Sequence, residues 1–286
     1  MIITSDYVRS VLVDKDENAN KYTAGSAMIF AGSYGMAGAA LLSAKAAMIS
    51  GAGIVRLVIP RCIYPVCASS LWEAVYTPAK GDNERLGVSA FEDAKPYFDK
   101  SEVLAFGPGM GTDDGVYGLL SKVIKSCSKP LIIDADGINV LSAHIDVLKE
   151  KSCEILLTPH EGEMARLIGK DSAFVRNNRE KCAREFSEKW GVNLLLKGRN
   201  TLIANPDGKV FTNPTGCAAL ATAGSGDVLT GVITALASNG TNLFDAACAG
   251  AYIHGRSGEL AAEDFTDRCV MASDIIEYLK EAFKEC

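Results

Sequence analysis

Ser26–Ile59 reads SAMIFAGSYGMAGAALLSAKAAMISGAGIVRLVI, and this stretch decides the fold. Ser26–Ala31 is short and apolar, a buried strand, and it breaks at Gly32-Ser33-Tyr34-Gly35. Gly38–Ser50 is rich in alanine and other helix formers, and Gly51 and Gly53 stop it. Ile54–Ile59 is a second strand, closed by Pro60. Two predominantly apolar strands joined through a helix form a parallel crossover unit, because a parallel sheet is buried on both faces.

The same beat repeats downstream. Val103–Phe106 breaks at Gly107-Pro108-Gly109-Met110-Gly111, and a helix follows within Asp113–Ser126. Pro130–Ile133 ends at Asp134-Ala135-Asp136-Gly137, and Glu154–Leu157 ends at Thr158-Pro159-His160. Phe174–Trp190 reads as one amphipathic helix, with Val175, Cys182, Phe186 and Trp190 near helical spacing. Val192–Leu196 ends at Lys197-Gly198, and Asn205-Pro206-Asp207-Gly208 turns a hairpin between Thr201–Ala204 and Lys209–Thr212. Helices follow over Asp227–Ser238, Leu243–Ala262 and Ser273–Phe283, the last N-capped by Ser273. The first two dozen residues read as an irregular lead-in. No composition shift divides the chain, so a single α/β domain over 1–286 is expected, with helices on both faces of a mostly parallel sheet.

Composition narrows the function. At 286 residues, 48% hydrophobic and 22% charged, the chain can bury a large core. A net charge of −6 with no basic cluster argues against a general nucleic-acid binder. Nine cysteines form no CxxC pair, which points to a reducing, cytoplasmic setting. No apolar run approaches the roughly 20 residues that span a bilayer.

In such sheets ligands bind beyond the carboxyl ends of the strands, and the unusual residues fall there repeatedly. The sharpest segment is Thr222-Ala223-Gly224-Ser225-Gly226-Asp227-Val228-Leu229-Thr230-Gly231. Glycines before a helix let backbone N–H groups converge on an anion, and the helix dipole favours it. Asp227 then sits in the first helical turn, where it can take a proton from a hydroxyl that attacks a terminal phosphate. An acid at a helix N-terminus is also common for purely structural reasons. The P-loop pattern GxxxxGK[ST] is absent, so this is another phosphate cradle. His160 stands at a strand end before Glu161 and Glu163, and Lys197 at a strand end can meet a phosphate. Asp134, Asp136 and Asn139 fit either Mg²⁺ ligation or capping of the next helix. His254, inside a helical pattern, reads as packed or half-exposed.

Together, Gly32–Ala40, Gly107–Gly111, Asp134–Asn139, Thr158–Met164, Lys197-Gly198 and Gly224–Gly231 resemble the NAD(P)H-hydrate dehydratase family of the ribokinase-like superfamily, over about Ser26 to Gly258. The resemblance implies a three-layer αβα sandwich that dehydrates hydrated NADH or NADPH (NADHX, NADPHX), driven by ADP or ATP with Mg²⁺. It makes Asp227 the activating carboxylate and the substrate's neighbour. It gives the transferring phosphate to Gly224, Ser225 and Gly226, and the nucleotide to Lys197, Gly198, Arg199, Asn200 and Thr201. It assigns the hydrated cofactor to His160, Gly109 or Gly111, and Ala39 or Ala40, and leaves the metal ligands unknown. It further implies a homo-oligomer, a tetramer, and a separate epimerase as functional partner. The chain departs from the family at Cys217, where Asn is usual, and at Leu220, where Met is frequent. A small-molecule alcohol kinase of the same fold, and a nucleotide-binding protein without turnover, are the alternatives.

Overall fold

Successive residues of the central strands face opposite layers, and both layers are apolar. In β1 (Ser26–Phe30), Ala27 and Ile29 join one core while Met28 and Phe30 join the other. That alternation explains why the strands read as unbroken hydrophobic runs. A computed structural model describes residues 1–14, 17–21, 23–81 and 84–286. After β1 come β2 (Ile54–Pro60), β3 (Val75–Ala79), β4 (Val103–Phe106) and β5 (Leu131–Ile133). The remaining strands are β6 (Ile155–Leu157), β7 (Asn193–Leu196), β8 (Leu202–Ala204) and β9 (Val210–Thr212). They form one nine-stranded sheet in the order β3-β2-β1-β4-β5-β6-β7-β8-β9. Pairing is parallel from β3 through β7 and antiparallel for β7–β8 and β8–β9.

One face carries the helices Ser5–Val11, Ala37–Ile49, Ser225–Ser238, Leu243–Phe265 and Ala272–Lys284, and the other carries Ala90–Ala94, Asp114–Ser126, Asp136–Ser142, Glu161–Ile168 and Arg179–Trp190. This is the expected three-layer α/β sandwich. Small residues let the first group approach closely. A Cβ on Gly231 would lie 2.2 Å from the Ser43 carbonyl oxygen, so helices 37–49 and 225–238 touch backbone to backbone.

The strand order reverses between β1 and β4, and the turns after those strands interlock. The Gly32 N–H donates to the Pro108 carbonyl at 2.8 Å, and Ser33 Oγ donates to the Gly109 carbonyl at 2.8 Å. Gly107 is obligatory: its φ is +132°, and a Cβ there would sit 1.8 Å from the Asp134 carbonyl oxygen.

Four local readings need correction. The lead-in contains the helix Ser5–Val11, capped by Thr4, with Ile3 and Val8 fully buried; residues 15, 16 and 22 of it lie outside the described residues. Phe174–Trp190 is two helices, Ser172–Asn177 and Arg179–Trp190, because Asn178 leaves helical geometry at φ −135°, ψ 32°. Ser273 lies inside its helix, whose N-cap is Met271; Asp274 accepts the Met271 N–H at 2.8 Å. Strand β3 has no counterpart in the sequence reading, since its exposed Val75 and its Pro78 mask it as an edge strand. Among the described residues no helix is long and apolar enough to cross a membrane.

Candidate active site

At the carboxyl ends of β5, β6 and β7 the backbone steps from strand to strand. The Asp134 N–H donates to Phe106, Thr158 to Ile133 and Lys197 to Pro159. These steps bring Asp134, Thr158, His160 and Lys197 to one rim, and helix Ser225–Ser238 adds Asp227 and Thr230 from the opposite side.

Asp134 is 1% exposed and fully engaged. Its Oδ1 accepts from Lys197 Nζ at 2.8 Å and from Thr158 Oγ1 at 2.7 Å. Its Oδ2 accepts from Thr230 Oγ1 at 2.7 Å. Burial alone would raise its pKa, but the Lys197 ammonium and these donors outweigh burial and hold it below the usual carboxylate range. Lys197 is held above its ordinary value by Asp134 and Glu163 despite its own burial. Glu163, whose Oε2 is 3.9 Å from Lys197 Nζ, is raised by burial.

Asp227 is the contrast. Its carboxylate takes no hydrogen bond among the described residues, and burial, then the Asp134 charge, push its pKa up to about 7 against the pull of Lys197. Asp136 adds to the rise. Gly224 precedes it at φ +89°, and a Cβ there would lie 2.5 Å from Leu42 Cδ1, so only glycine admits this turn. The first-turn amides of Gly226 and Asp227 lack intrahelical acceptors and point out of the helix end. Ser225 Oγ lies 3.2 Å from His254 Nε2. Burial pulls His254 down to about 4, so this ring is neutral at pH 7.

His160 caps the helix Glu161–Ile168. Its Nδ1 accepts the N–H groups of Gly162 at 2.9 Å and Glu163 at 3.2 Å, while Glu163 Oε2 accepts the His160 N–H at 2.8 Å. That reciprocal box leaves the other ring nitrogen, Nε2, as the donor. Burial, with Lys197 and Arg166 adding, lowers the His160 pKa, which keeps the neutral form.

These groups open onto a cavity of about 910 Å³. Lys197, Gly198, Arg199, Thr201, Gly224–Asp227 and His160 all line it. Asn200 is not in the lining; it stands at the tip of the β7–β8 hairpin in the left-handed region, φ +56°. Ala39, Ala40, Gly109 and Gly111 lie outside the cavity as well. Ala40 is fully buried, and Ala39 packs on Gly109, where a Cβ would come within 2.8 Å of it. The Gly111 N–H donates to Asp136 Oδ2 at 2.8 Å, and Asp136 acts on Asp227, so this turn borders the site through that carboxylate.

Several functional neighbours escaped the sequence reading. Thr158 and Thr230 complete the Asp134 cage, and Arg179 donates to Glu161 at 2.8 Å and to the Leu196 carbonyl at 3.1 Å, packing where Gly198 has no Cβ. Asn213, Thr215 and Leu220 form one wall of the cavity, and His254 and Gly255 line it beside them. His254 proves buried, at 6% exposure, and faces the cavity as well. Only Thr230 had a signal: three residues after Asp227, it shares that helix face. Cys217 lines the same wall with Sγ 3.6 Å from the Gly258 carbonyl, and burial raises its thiol pKa.

The donor set does not fit a metal held by protein. Asp134 is saturated by Lys197 and two hydroxyls. Asp136 binds the Gly111 amide and receives Asn139 Nδ2 at 3.3 Å, and Asn139 Oδ1 accepts from Arg166 at 2.9 Å. Asp136 and Asn139 therefore neither cap helix Asp136–Ser142, whose N-cap is Ala135, nor converge on a cation. Among the described residues no group of three metal-binding side chains occurs.

A family model described as NAD(P)H-hydrate dehydratase matches residues 27–281. A bifunctional NAD(P)H-hydrate repair enzyme of Moorella thermoacetica is 37% identical over 283 residues, covering 97% of this chain and 53% of that protein. The chain thus spans about half the length of the bifunctional relatives. An ADP-dependent (S)-NAD(P)H-hydrate dehydratase of Neisseria meningitidis is 35% identical over 251 residues, covering 86% of this chain and 80% of that protein. The crystal structure of the Bacillus subtilis ADP/ATP-dependent NAD(P)H-hydrate dehydratase, co-crystallised with ATP/Mg²⁺, superposes with a TM-score of 0.83 at 29% identity, covering 98% of this chain and 96% of that one.

Proposed function

This chain belongs to the NAD(P)H-hydrate dehydratase family, and from that premise we propose that it dehydrates hydrated NADH and NADPH at the expense of ADP or ATP. The observation that carries the proposal is Asp227: a half-buried carboxylate without a hydrogen-bond partner among the described residues, its pKa pushed up to about 7, beside the free amides of a glycine turn. A carboxylate of that pKa is matched to accepting a proton at neutral pH.

In this reading the hydroxyl of the hydrated ring attacks the terminal phosphorus of the nucleotide, and Asp227 takes its proton. The amides of Gly226 and Asp227, with the Lys197 ammonium, stabilise charge on the transferring phosphoryl group. The bond to the leaving AMP or ADP breaks as the phosphate ester forms. Phosphate then leaves the ring with its electron pair, and loss of a ring proton restores the dihydronicotinamide. Lys197–Thr201 and the wall from Asn213 to Thr222 hold the nucleotide. His160, through its Nε2–H, and the Gly109–Gly111 turn beside Ala39 and Ala40 receive the hydrated cofactor. Bound with the nucleotide, Mg²⁺ would neutralise phosphate charge; Asp134 and Asp136 are already engaged and would not hold it.

The same reading takes the chain as one catalytic unit, supported by its single nine-stranded sheet. Nine free cysteines suit a reducing cytoplasm. A tetramer and a separate epimerase complete the reading on family resemblance, with light scattering as the check on the tetramer.

The test is return of reduced-nicotinamide absorbance from hydrated NADH with Mg²⁺ and either ADP, ATP or no nucleotide. Nucleotide-dependent recovery is expected. Folded protein that binds nucleotide without recovery would reassign the site to a small-alcohol kinase or a binding protein.

A further inference from the structure

The cavity wall from Asn213 to Thr222 holds no regular element beyond the single 3₁₀ turn Ala218–Leu220, yet it packs along helix Leu243–Phe265. Glycines in that helix make the approach possible. A Cβ on Gly255 would lie 2.2 Å from Thr215 Oγ1, and one on Gly258 would lie 2.4 Å from Leu220 Cδ2. Three neutral contacts hold the loop down. Asn213 Nδ2 donates to the Ala251 carbonyl at 3.0 Å, Thr215 Oγ1 to the Tyr252 carbonyl at 2.9 Å, and Cys217 Sγ to the Gly258 carbonyl at 3.6 Å. The fourth contact is charged: the Gly216 N–H donates to Glu259 Oε1 at 2.7 Å.

Gly216 is at φ +110°, a conformation other residues rarely adopt, so the chain bends there and its amide needs a partner. Glu259 is itself braced. Its Oε2 accepts from Arg256 Nη1 at 3.1 Å, and Arg256 grips Glu285 near the C-terminus at 2.6 and 3.1 Å and Glu263 at 3.2 Å. The helix serves both sides of the turn region: His254 meets Ser225 of the glycine turn and Glu259 meets Gly216 of the loop.

We propose that Glu259, braced by Arg256, is a positioning residue for the nucleotide: it clamps Gly216 and thereby sets the wall that the nucleotide lies against. The proposal rests on the nucleotide reading of this cavity. Glu259 does not line the cavity, so it acts only through the loop. Its side chain is 27% exposed, so the clamp is partly shielded from water, and a hydrogen bond to a charged group in such a place is among the stronger ones.

The experiment compares wild type with Glu259→Gln, which keeps an acceptor for Gly216 but loses the ion pair, and Glu259→Ala, which loses both. Steady-state kinetics with ADP or ATP are combined with direct calorimetric titration of nucleotide in the absence of hydrated cofactor. For Glu259→Ala the expected result is a roughly tenfold or greater rise in nucleotide KM and Kd, with kcat and the KM for hydrated cofactor within about twofold of wild type. Glu259→Gln should recover most of that loss. A merely structural role would instead lower thermal stability and affect both substrates together, which overturns the proposal. Unchanged nucleotide Kd in folded Glu259→Ala overturns it too. If Glu259→Ala does not fold, Arg256→Gln, which removes the brace and leaves the carboxylate, takes its place: a weaker nucleotide Kd with unchanged KM for hydrated cofactor is expected, and an unchanged nucleotide Kd overturns the proposal. Wild-type protein without affinity for either nucleotide removes the nucleotide reading itself, a failure visible before any variant is made.

Discussion

Asp134 and Asp227 face each other across one rim, and their surroundings could hardly differ more. Asp134 ends a central strand, is enclosed by Lys197, Thr158 and Thr230, and stays ionised despite complete burial. Asp227 opens a helix, has no hydrogen-bond partner among the described residues, and has its pKa raised to about 7. The first region is closed on itself: every oxygen is used, so it can hold shape but cannot react. The second is left open, with free amides beside it and a cavity in front. The Asp134 charge also raises the Asp227 pKa, so the closed region tunes the open one. Identical side chains thus end up saturated or unpartnered according to who surrounds them.

The sharpest way to break this comparison is Asp227→Asn. Turnover at saturating substrates should fall by ~10²–10⁴-fold while circular dichroism remains native-like and thermal unfolding stays cooperative. Near-normal turnover would move the reactive group elsewhere.

The closed region predicts a stability effect instead. Lys197→Ala leaves the Asp134 carboxylate buried and unpaired, so unfolding in denaturant should show a loss of about 3–5 kcal/mol. A change below 1 kcal/mol would mean that Lys197 is needed at the phosphate alone.

The two carboxylates also give opposite pH signatures. Asp134, depressed in the fold, contributes stability above the unfolded aspartate pKa and loses it as pH falls. Asp227 is raised, so the folded state binds the extra proton, and its contribution declines as pH climbs from about 4 towards 7. Asp227→Asn should therefore be more stable than wild type at pH 8, and the advantage should vanish near pH 4. In the active enzyme the same titration appears as a rise of kcat/KM with pH through about 7, absent from the Asn variant.

The smallest expected effect is at His160. His160→Ala removes the Nε2–H donor and a helix cap, and should raise the KM for hydrated cofactor about tenfold while lowering stability by about 1 kcal/mol. A change confined to nucleotide affinity would exchange the two binding regions.

How much of this was legible follows from range. The strands were readable because apolar runs broken by glycine need only neighbours in the chain; β3 was missed because an exposed edge strand containing Pro78 lacks that signal. The split at Asn178 hid inside an acceptable helical period. Lys197, His160 and Asp227 stood out because strand ends and helix starts are recognisable from a few residues. Ala39, Ala40, Gly109 and Gly111 were legible as a turn and a small-residue helix, but their position beside rather than in the cavity was not.

The amino-acid sequence by itself determined the alternation of strand, turn and helix, the glycine cradle, and an acid in its first helical turn. Those features depend on contacts within one or two turns of chain. Tertiary structure alone decided what each polar group does. Lys197 meets Asp134 across 63 positions, Thr230 meets it across 96, and Gly216 meets Glu259 across 43. Each pairing follows from strand order and helix packing, and the surroundings that separate a saturated carboxylate from an unpartnered one exist only once those layers close.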